Sequence, residues 1–214
     1  MSSFPRSPKI LKGGIVLLNP QTAEVGQIIP LQYNPESITR SLEARSAGDG
    51  SDPTEALRLA GPPRETYSIE VTLDATDQLE NRDPLSVRHG LQPTLAALES
   101  ILYPKSSHLV SNQMLAAIGT IEILPTEAPL TLFIWSKERI MPVRFTEFSI
   151  TEDAFDVNLN PIRAKISLSM TVLGLDDLGD ANQGSGLYMA YQRAKEELAR
   201  KYKGGTLDTL GINL

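Results

Sequence analysis

The chain of 214 residues contains no cysteine, which excludes a disulfide framework and any metal site built on thiolates. Its two histidines, His89 and His108, lie in different segments, and no carboxylate cluster stands beside either of them at ligand spacing. Packing or surface roles are therefore predicted for both, in place of metal binding or acid-base chemistry. We expect neither a metal nor a cofactor.

Charge and hydropathy exclude further classes of protein. The chain has 20 Lys and Arg against 26 Asp and Glu, a net charge of −6, which argues against a general nucleic-acid binder because such proteins need surplus cations. The longest apolar runs fall far below the roughly 20 residues that cross a bilayer. Residues 1–8 contain no apolar core like that of a secretory signal. We expect neither a nucleic-acid partner nor insertion into a membrane. Assembly is expected in the cytoplasm.

Signatures of catalysis are missing as well. Gly184-Ser185-Gly186 lacks the flanking pattern of a nucleophile elbow, and the P-loop pattern GxxxxGK[ST] does not occur. Asp176, Asp177 and Asp180 lack the alternating ligand order of an EF-hand loop and its closing Glu. A small β-sandwich hydrolase stays open as an alternative, although it needs a nucleophile and a base that the sequence does not display. We predict that the protein is not an enzyme.

The clearest pattern present is a strict alternation over residues 161–172. Arg163, Lys165, Ser167, Ser169 and Thr171 fall on one side, and apolar residues fall on the other. Because side chains alternate between the two faces of a strand, this pattern predicts a long, half-buried strand of an antiparallel sheet. The polar side is expected to face either water or a hydrogen-bonded contact with another subunit.

Shorter patterns predict the rest of the sheet. A hairpin is expected from the apolar runs at residues 14–19 and 28–33, which are separated by turn-forming residues. Further strands are predicted at residues 67–73, 130–135 and 141–150, the last with a bulge between Phe145 and Phe148. The polar residues 44–64 are interpreted as a long loop.

Two helix starts are predicted in the middle of the chain. Asp83-Pro84 is typical of a helix N-terminus, and Pro93 predicts a second start, after which Leu95, Leu98 and Leu102 form an apolar stripe. Residues 104–128 fit either a short helix or a hairpin arm, and periodicity does not decide between them.

The C-terminal part has a different character. Residues 176–186 are interpreted as a flexible linker, and residues 187–203 as an amphipathic helix with Tyr188, Tyr191, Lys195, Leu198 and Tyr202 on one stripe. Five basic and two acidic side chains make this helix basic on an acidic protein. We predict that it lies outside the β-domain and docks on a neighbouring subunit, with packing on its own domain as the open alternative.

These elements together predict a mainly β, α+β protein. Residues 1–175 form the β-domain with an insertion at 104–128, residues 176–186 form the linker and residues 187–214 form a helical extension. The length of the chain permits one sizeable core.

The order of these elements resembles the tube-type proteins of contractile injection systems. The resemblance covers residues 12–175 and rests on Tyr33-Asn34-Pro35-Glu36 after the opening hairpin and on Pro161-Ile162-Arg163-Ala164 at the last strand. It implies a tail-tube-like antiparallel β-sandwich or barrel with a flanking helix. It also implies assembly as a hexameric ring around a channel.

The insertion at 104–128 and the extension at 176–214 depart from a tube subunit and are similar to additions in a baseplate adapter. The implied function is a ring-forming adapter between the spike hub and the inner tube, with an inner tube subunit as the alternative. The expected partners are further copies of the chain, the inner tube protein, the spike or hub protein and other baseplate proteins. A cytosolic, a membrane-anchored and a released phage-tail-like particle all stay open. The candidate interface residues are Tyr33, Asn34, Pro35, Arg163, Lys165, Ser167, Ser169, Tyr188, Tyr191, Leu198 and Tyr202.

Overall fold

A computed structural model of the chain describes residues 11–19, 22–46, 58–117, 128–178 and 183–205, together with residues 209 and 211. One antiparallel sheet of seven strands organises these residues, in the order β2-β1-β5-β6-β7-β4-β3. Helices accompany the sheet, so the predicted α+β class is confirmed. The strands are β1 Gly14–Leu18, β2 Val25–Pro30, β3 Ile38–Glu43, β4 Arg64–Asp74, β5 Leu130–Ser136, β6 Arg139–Phe155 and β7 Pro161–Val172.

Strand β7 has the predicted alternation along its length. Its apolar side chains from Ala164 to Val172 are buried, while Arg163, Lys165 and Ser167 are exposed. The neighbouring strand β6 carries the predicted bulge, since its register against β7 shifts between Phe145 and Glu147. Both predictions succeed because period-two patterning over many residues is a strong local signal.

The opening hairpin is also confirmed, with β2 lying three residues earlier than predicted. Strand β3 was not predicted and falls between the Tyr33-Asn34 motif and the expected loop. Most of its residues are exposed because it is an edge strand, so burial imposes little apolar pattern on its sequence. Strand β4 begins at Arg64, which is the last residue of that expected loop. Positions 47–57 of the loop lie outside the described residues.

The helices are α1 Thr76–Glu80, α2 Pro84–His89, α3 Gln92–Glu99, α4 Ser106–Ala117, α5 Leu175–Leu178 and α6 Gln183–Lys201. Two of the helices, α2 and α3, begin close to where turn chemistry predicts. The Asp83 side chain accepts a hydrogen bond from the Ser86 backbone amide at 2.9 Å, and Pro93 lies in the first turn of α3. Leu95 and Leu98 are buried as predicted, whereas Leu102 lies beyond the end of α3 and is half exposed, so its assignment to the stripe is wrong.

The structure describes parts of the segments at residues 104–128 and 176–186. Residues 106–117 form a helix, α4, which buries none of its side chains, and residues 118–127 lie outside the described part of the chain. The linker interpretation is wrong for residues 176–178 and 183–186, which are helical, while 179–182 are not described. Gly184 and Ser185 are buried in the first turn of α6, where small side chains permit close packing.

The core lies mainly on one face of the sheet. Buried side chains from six strands pack there against α3 and against Tyr188 and Tyr191 of α6. A smaller cluster on the other face of β1 and β5 packs against Leu178 and Leu187. No helix among the described residues is long and apolar enough to cross a membrane.

Candidate assembly surfaces

Four adjacent strands, β3, β4, β7 and β6, present one continuous polar surface, which we call the polar face. Registered partners lie side by side across these strands, as in the row Thr39, Ser68, Ser169 and Glu147. Every member is Ser, Thr or charged, and none is buried. The polar face consists of Thr39, Ser41, Glu43, Arg64, Thr66, Ser68, Glu70, Thr72, Asp74, Arg144, Glu147, Ser149, Thr151, Arg163, Lys165, Ser167, Ser169 and Thr171.

The charges of the polar face balance, with four acidic and four basic side chains. One pair is joined directly, since Arg163 Nη2 lies 2.8 Å from Asp74 Oδ2 across the β7–β4 boundary. Hydrogen bonds from the Thr76 hydroxyl and from Arg163 lower the pKa of the Asp74 carboxyl. The hydroxyls of Ser68 and Ser169 lie 3.1 Å apart. The residues of the polar face therefore make a surface of hydroxyl and charged side chains whose charges balance.

The sequence predicted only the β7 part of this surface. Arg163, Lys165, Ser167 and Ser169 lie on it together, as expected from their alternation. The contributions of β3, β4 and β6 depend on strand order, which a single strand does not reveal. The signal that could have extended the prediction is the matching run of Ser68, Glu70 and Thr72 opposite the apolar residues of β4.

The sheet ends at two edge strands, β2 and β3, which are not paired with each other. Within the part of the chain that the structure describes, each edge strand has a row of backbone amide and carbonyl groups without a ladder partner on its outer side. Val25 and Ile28 of β2 and Leu42 of β3 are exposed beside these edges. A further strand from another chain can pair at either edge.

The Tyr33-Asn34-Pro35 motif lies in the connection between β2 and β3. Asn34 Oδ1 accepts a hydrogen bond from the Gly13 amide at 3.0 Å, and its Nδ2 donates to the Leu11 carbonyl at 2.9 Å. Asn34 thus ties the segment before β1 to this connection and satisfies its polar atoms within the chain. Tyr33 is half exposed, and Pro35 is half buried.

A buried polar cluster connects α6 to the sheet. The Glu65 side chain is 4% exposed and accepts hydrogen bonds from the Tyr67 hydroxyl at 3.0 Å and the Tyr191 hydroxyl at 2.8 Å. Lys195 Nζ lies 2.6 Å from its other carboxylate oxygen, and Arg40 Nε lies 3.8 Å from the first. Burial raises the pKa of both tyrosine hydroxyls, which keeps them protonated as donors. We call Glu65, Tyr67, Tyr191, Lys195 and Arg40 the Glu65 cluster.

The Glu65 cluster corrects the predicted position of the C-terminal helix. Tyr188 and Tyr191 are buried in the core of their own domain, so these two residues do not form a free interface and the helix does not lie outside the β-domain. Both tyrosine rings pack on the apolar face of the sheet, and the hydrogen bond from Tyr191 to Glu65 spans 126 residues of sequence. Leu198 and Tyr202, at the far end of α6, are exposed.

Sequence reasoning missed Glu65 and Arg40. The available signal was the phase of β4, where Glu65 falls on the same side as Tyr67, Ile69 and Val71. A carboxylate on an apolar face requires hydrogen-bonding or cationic partners, because an isolated buried charge is costly. The identity of those partners, on β3 and α6, is set only by the tertiary structure.

The described residues contain no group of three or more His, Cys, Asp or Glu side chains that could hold a metal ion. Asp176 forms an ion pair with Arg45, at 2.7 Å, and Asp177 accepts a hydrogen bond from the Gly174 amide. Ser185 is buried inside the first turn of α6 and does not stand on a strand-to-helix turn.

Neither a protein-family profile nor a curated protein matches the chain. Among solved structures, it is similar to a chain in the tail of an empty GTA particle with C6 symmetry, at 13% identity and a TM-score of 0.29, over 76% of this chain and 91% of that one. It is also similar to a chain in the virion of a native gene transfer agent (GTA) particle, at 13% identity and a TM-score of 0.25, over 75% and 91% of the two chains. With TM-scores this low, neither similarity defines the role of the present chain.

Proposed function

We propose that this chain is a structural subunit of a phage-tail-like particle, without catalytic activity, which forms a six-membered ring around a channel. The observation that carries the proposal is the polar face, a hydroxyl-rich and charge-balanced surface on four adjacent strands. A surface of this kind is suited to lining an aqueous channel. Its polar groups bind water, and passing material meets neither an apolar patch nor a net charge to which it would adhere.

The rest of the fold supports a ring. Core packing covers the opposite side of β4, β7 and much of β6, so this part of the sheet presents one polar and one packed face. The two edge strands lie at opposite ends of the sheet, and pairing an edge of one copy with the other edge of the next removes both. The sequence resemblance to tube-type proteins of contractile injection systems agrees with this arrangement.

Within such a particle, we assign the chain to the adapter position between the spike hub and the inner tube. The support is additional structure beyond the sheet: α4, which buries none of its own side chains, and the exposed end of α6 with Leu198 and Tyr202. An adapter meets a different protein on each side, and these surfaces are available for such contacts. The spike or hub protein and the inner tube protein are the partners expected there.

Mass measurement and cryo-electron microscopy of purified particles test the proposal. One ring of six copies per particle is the expected result for the adapter, and many stacked rings would make the chain the inner tube subunit instead. A copy number that is not a multiple of three would overturn the ring. Polar-face residues found away from a channel or subunit interface would overturn the role given to that surface.

A further inference from the structure

The loop between β6 and β7 displays apolar side chains in an unusual way. Phe155 is 50% exposed, Leu159 is 77% exposed and Val157 is 98% exposed, although all three follow one another closely in a tight turn. We call these three side chains the apolar tip. A side chain as exposed as Val157 contacts almost nothing in its own chain, so folding does not account for its apolar character.

Hydrogen bonds within the β6–β7 loop hold the apolar tip in place. Asp156 Oδ1 accepts hydrogen bonds from the amides of Asn158 and Asn160, at 2.7 and 2.8 Å, and its Oδ2 accepts one from Asn160 Nδ2 at 2.8 Å. These bonds lower the pKa of the Asp156 carboxyl. Asn160 Nδ2 also donates to the Arg88 carbonyl at 3.3 Å, which fixes the loop to α2. The loop therefore presents a preorganised surface.

Backbone strain marks the same loop. Leu159 has a φ angle of 63°, in the left-handed region that branched apolar residues seldom adopt. Strain of this kind persists where the surrounding structure enforces it and is concentrated in binding segments. A Gly or Asn at this position would relieve the strain, but neither would add an apolar side chain to the tip.

A cleft that matches the apolar tip lies on the same chain. It has a volume of about 430 Å³ and lies between the edge strand β2 and helices α1 to α3. This volume is in the range of about 300–1,000 Å³ that is typical of binding clefts. Apolar side chains make up much of its wall, among them Ile28, Leu31, Leu73, Leu91 and Ala97.

Charge also matches between the two surfaces. Lys12 is the one charged residue among the described residues that line the cleft. Glu152 and Asp153 are exposed on β6 immediately before the tip. No ion pair within the described part of the chain involves any of these three side chains.

The tip cannot fill the cleft of its own chain. The base of the loop is anchored next to the cleft, since the Leu91 amide donates to the Pro161 carbonyl at 2.8 Å, yet Val157 points away into solvent. We propose that the apolar tip of one copy inserts into the cleft of a second copy, with Glu152 and Asp153 beside Lys12. This proposal rests on the proposed function, because it names one contact between the subunits.

Such a contact uses different surfaces on the two partners. The copy that inserts its tip keeps an unused cleft, and the copy that receives it keeps an unused tip, so the contact propagates from copy to copy. Contacts of this type close into rings or continue as filaments, whereas a contact between identical surfaces stops at a dimer.

Single substitutions on the purified full chain test the contact by analytical ultracentrifugation. Val157→Asp is expected to weaken self-association by about thirtyfold or more, as loss of a central apolar anchor does. Its melting temperature should stay unchanged, because Val157 has almost no contacts to lose. The matched control is Met114→Asp on α4, which is 66% exposed and should leave self-association unchanged. Equal weakening by both changes would overturn the proposal.

A mixing experiment tests the direction of the contact. Thr94→Arg places a large cation in the cleft while leaving the tip intact, and Lys12→Glu is a second cleft variant should the first fail to fold. Neither Val157→Asp nor the cleft variant should associate alone. Mixed, they should form a heterodimer and nothing larger, because one supplies the only intact tip and the other the only intact cleft.

A charge exchange tests the proposed pairing of Glu152 and Asp153 with Lys12. Lys12→Glu should weaken association, and adding Glu152→Lys and Asp153→Lys to the same chain should restore it. Failure of the heterodimer, or full association of Val157→Asp, would overturn the contact. So would a wild-type chain that stays monomeric at its highest soluble concentration. If that monomer still entered tail particles with the other tail proteins, the proposed function would stand without this contact.

Discussion

The hydroxyl of Tyr191 on α6 lies 2.8 Å from the hydroxyl of Tyr67 on β4, and both donate to Glu65. This relationship makes the C-terminal helix part of the β-domain. Tyr191 is 3% exposed, and its ring packs on the apolar face of the sheet. The helix therefore contributes to the stability of the domain, while Leu198 and Tyr202 near its end remain exposed.

Tyr191→Ala should destabilise the chain by about 3–5 kcal/mol, the range observed when a large buried aromatic side chain is removed. Tyr202→Ala, on the same helix, should change stability by no more than about 0.5 kcal/mol, since Tyr202 is 79% exposed. Urea unfolding followed by circular dichroism measures both. Similar values for the two variants would show that α6 does not stabilise the domain.

The ion pair between Glu65 and Lys195 should show strong coupling. Glu65→Gln is expected to cost about 1–3 kcal/mol, because it weakens a buried acceptor of several hydrogen bonds. A double-mutant cycle with Lys195→Met should give a coupling of at least about 1 kcal/mol. The exposed pair Arg45 and Asp176, at 2.7 Å, is the control and should give less than about 0.5 kcal/mol. Equal couplings would refute a special role for the buried pair.

Stability should fall in alkaline solution. Burial raises the pKa of the Tyr191 hydroxyl in the folded chain above the value of about 10 that applies when it is unfolded. The unfolded chain then loses its proton first, so the stabilising effect is complete below pH about 10 and declines as the pH rises further. Tyr191→Phe should reduce this decline, as measured by urea unfolding at successive pH values. An unchanged alkaline slope in the variant would contradict the assignment.

Gly90 should be intolerant of a side chain. It has a φ angle of 57°, and a Cβ atom there would lie 2.3 Å from the Pro161 carbonyl oxygen. Gly90→Ala should therefore destabilise the chain by more than about 1 kcal/mol. The control is Gly186→Ala in α6, where a Cβ atom meets nothing within 4 Å, and a gain of about 0.5–1 kcal/mol is expected. Thermal unfolding of the two variants should move in opposite directions.

The polar face should matter for assembly more than for folding. Ser167 is exposed, so Ser167→Leu should leave stability within about 0.5 kcal/mol of the wild type. The same change places an apolar group on the surface assigned to the channel or interface, and it should impair assembly or passage. Ser111→Leu on the exposed side of α4 is the control. A double change at Ser167 and Ser169 that assembled and functioned normally would make the face ordinary solvent-exposed surface.

The sequence by itself determined the elements whose signal is local. Strand β7 and its two faces follow from alternation over residues 161–172, and the start of α2 follows from Asp83 accepting a bond three residues ahead. The β7 part of the polar face, five of its eighteen residues, was available from this reasoning, because side-chain direction along one strand is fixed by backbone geometry. The edge strand β3 was not, since exposure leaves its sequence without a pattern.

Only the tertiary structure decided how distant segments meet. A linker and a free helix were expected at the C-terminus because of its Gly and Asp residues and the positive charge of the helix. Instead, α6 begins at Gln183 and packs on β4 through Tyr191. Glu65 makes that packing possible, and its partners lie up to 130 residues away in the sequence. Local patterns report which side of an element is apolar. The element that covers that side is selected by packing and by hydrogen-bond satisfaction in the whole fold.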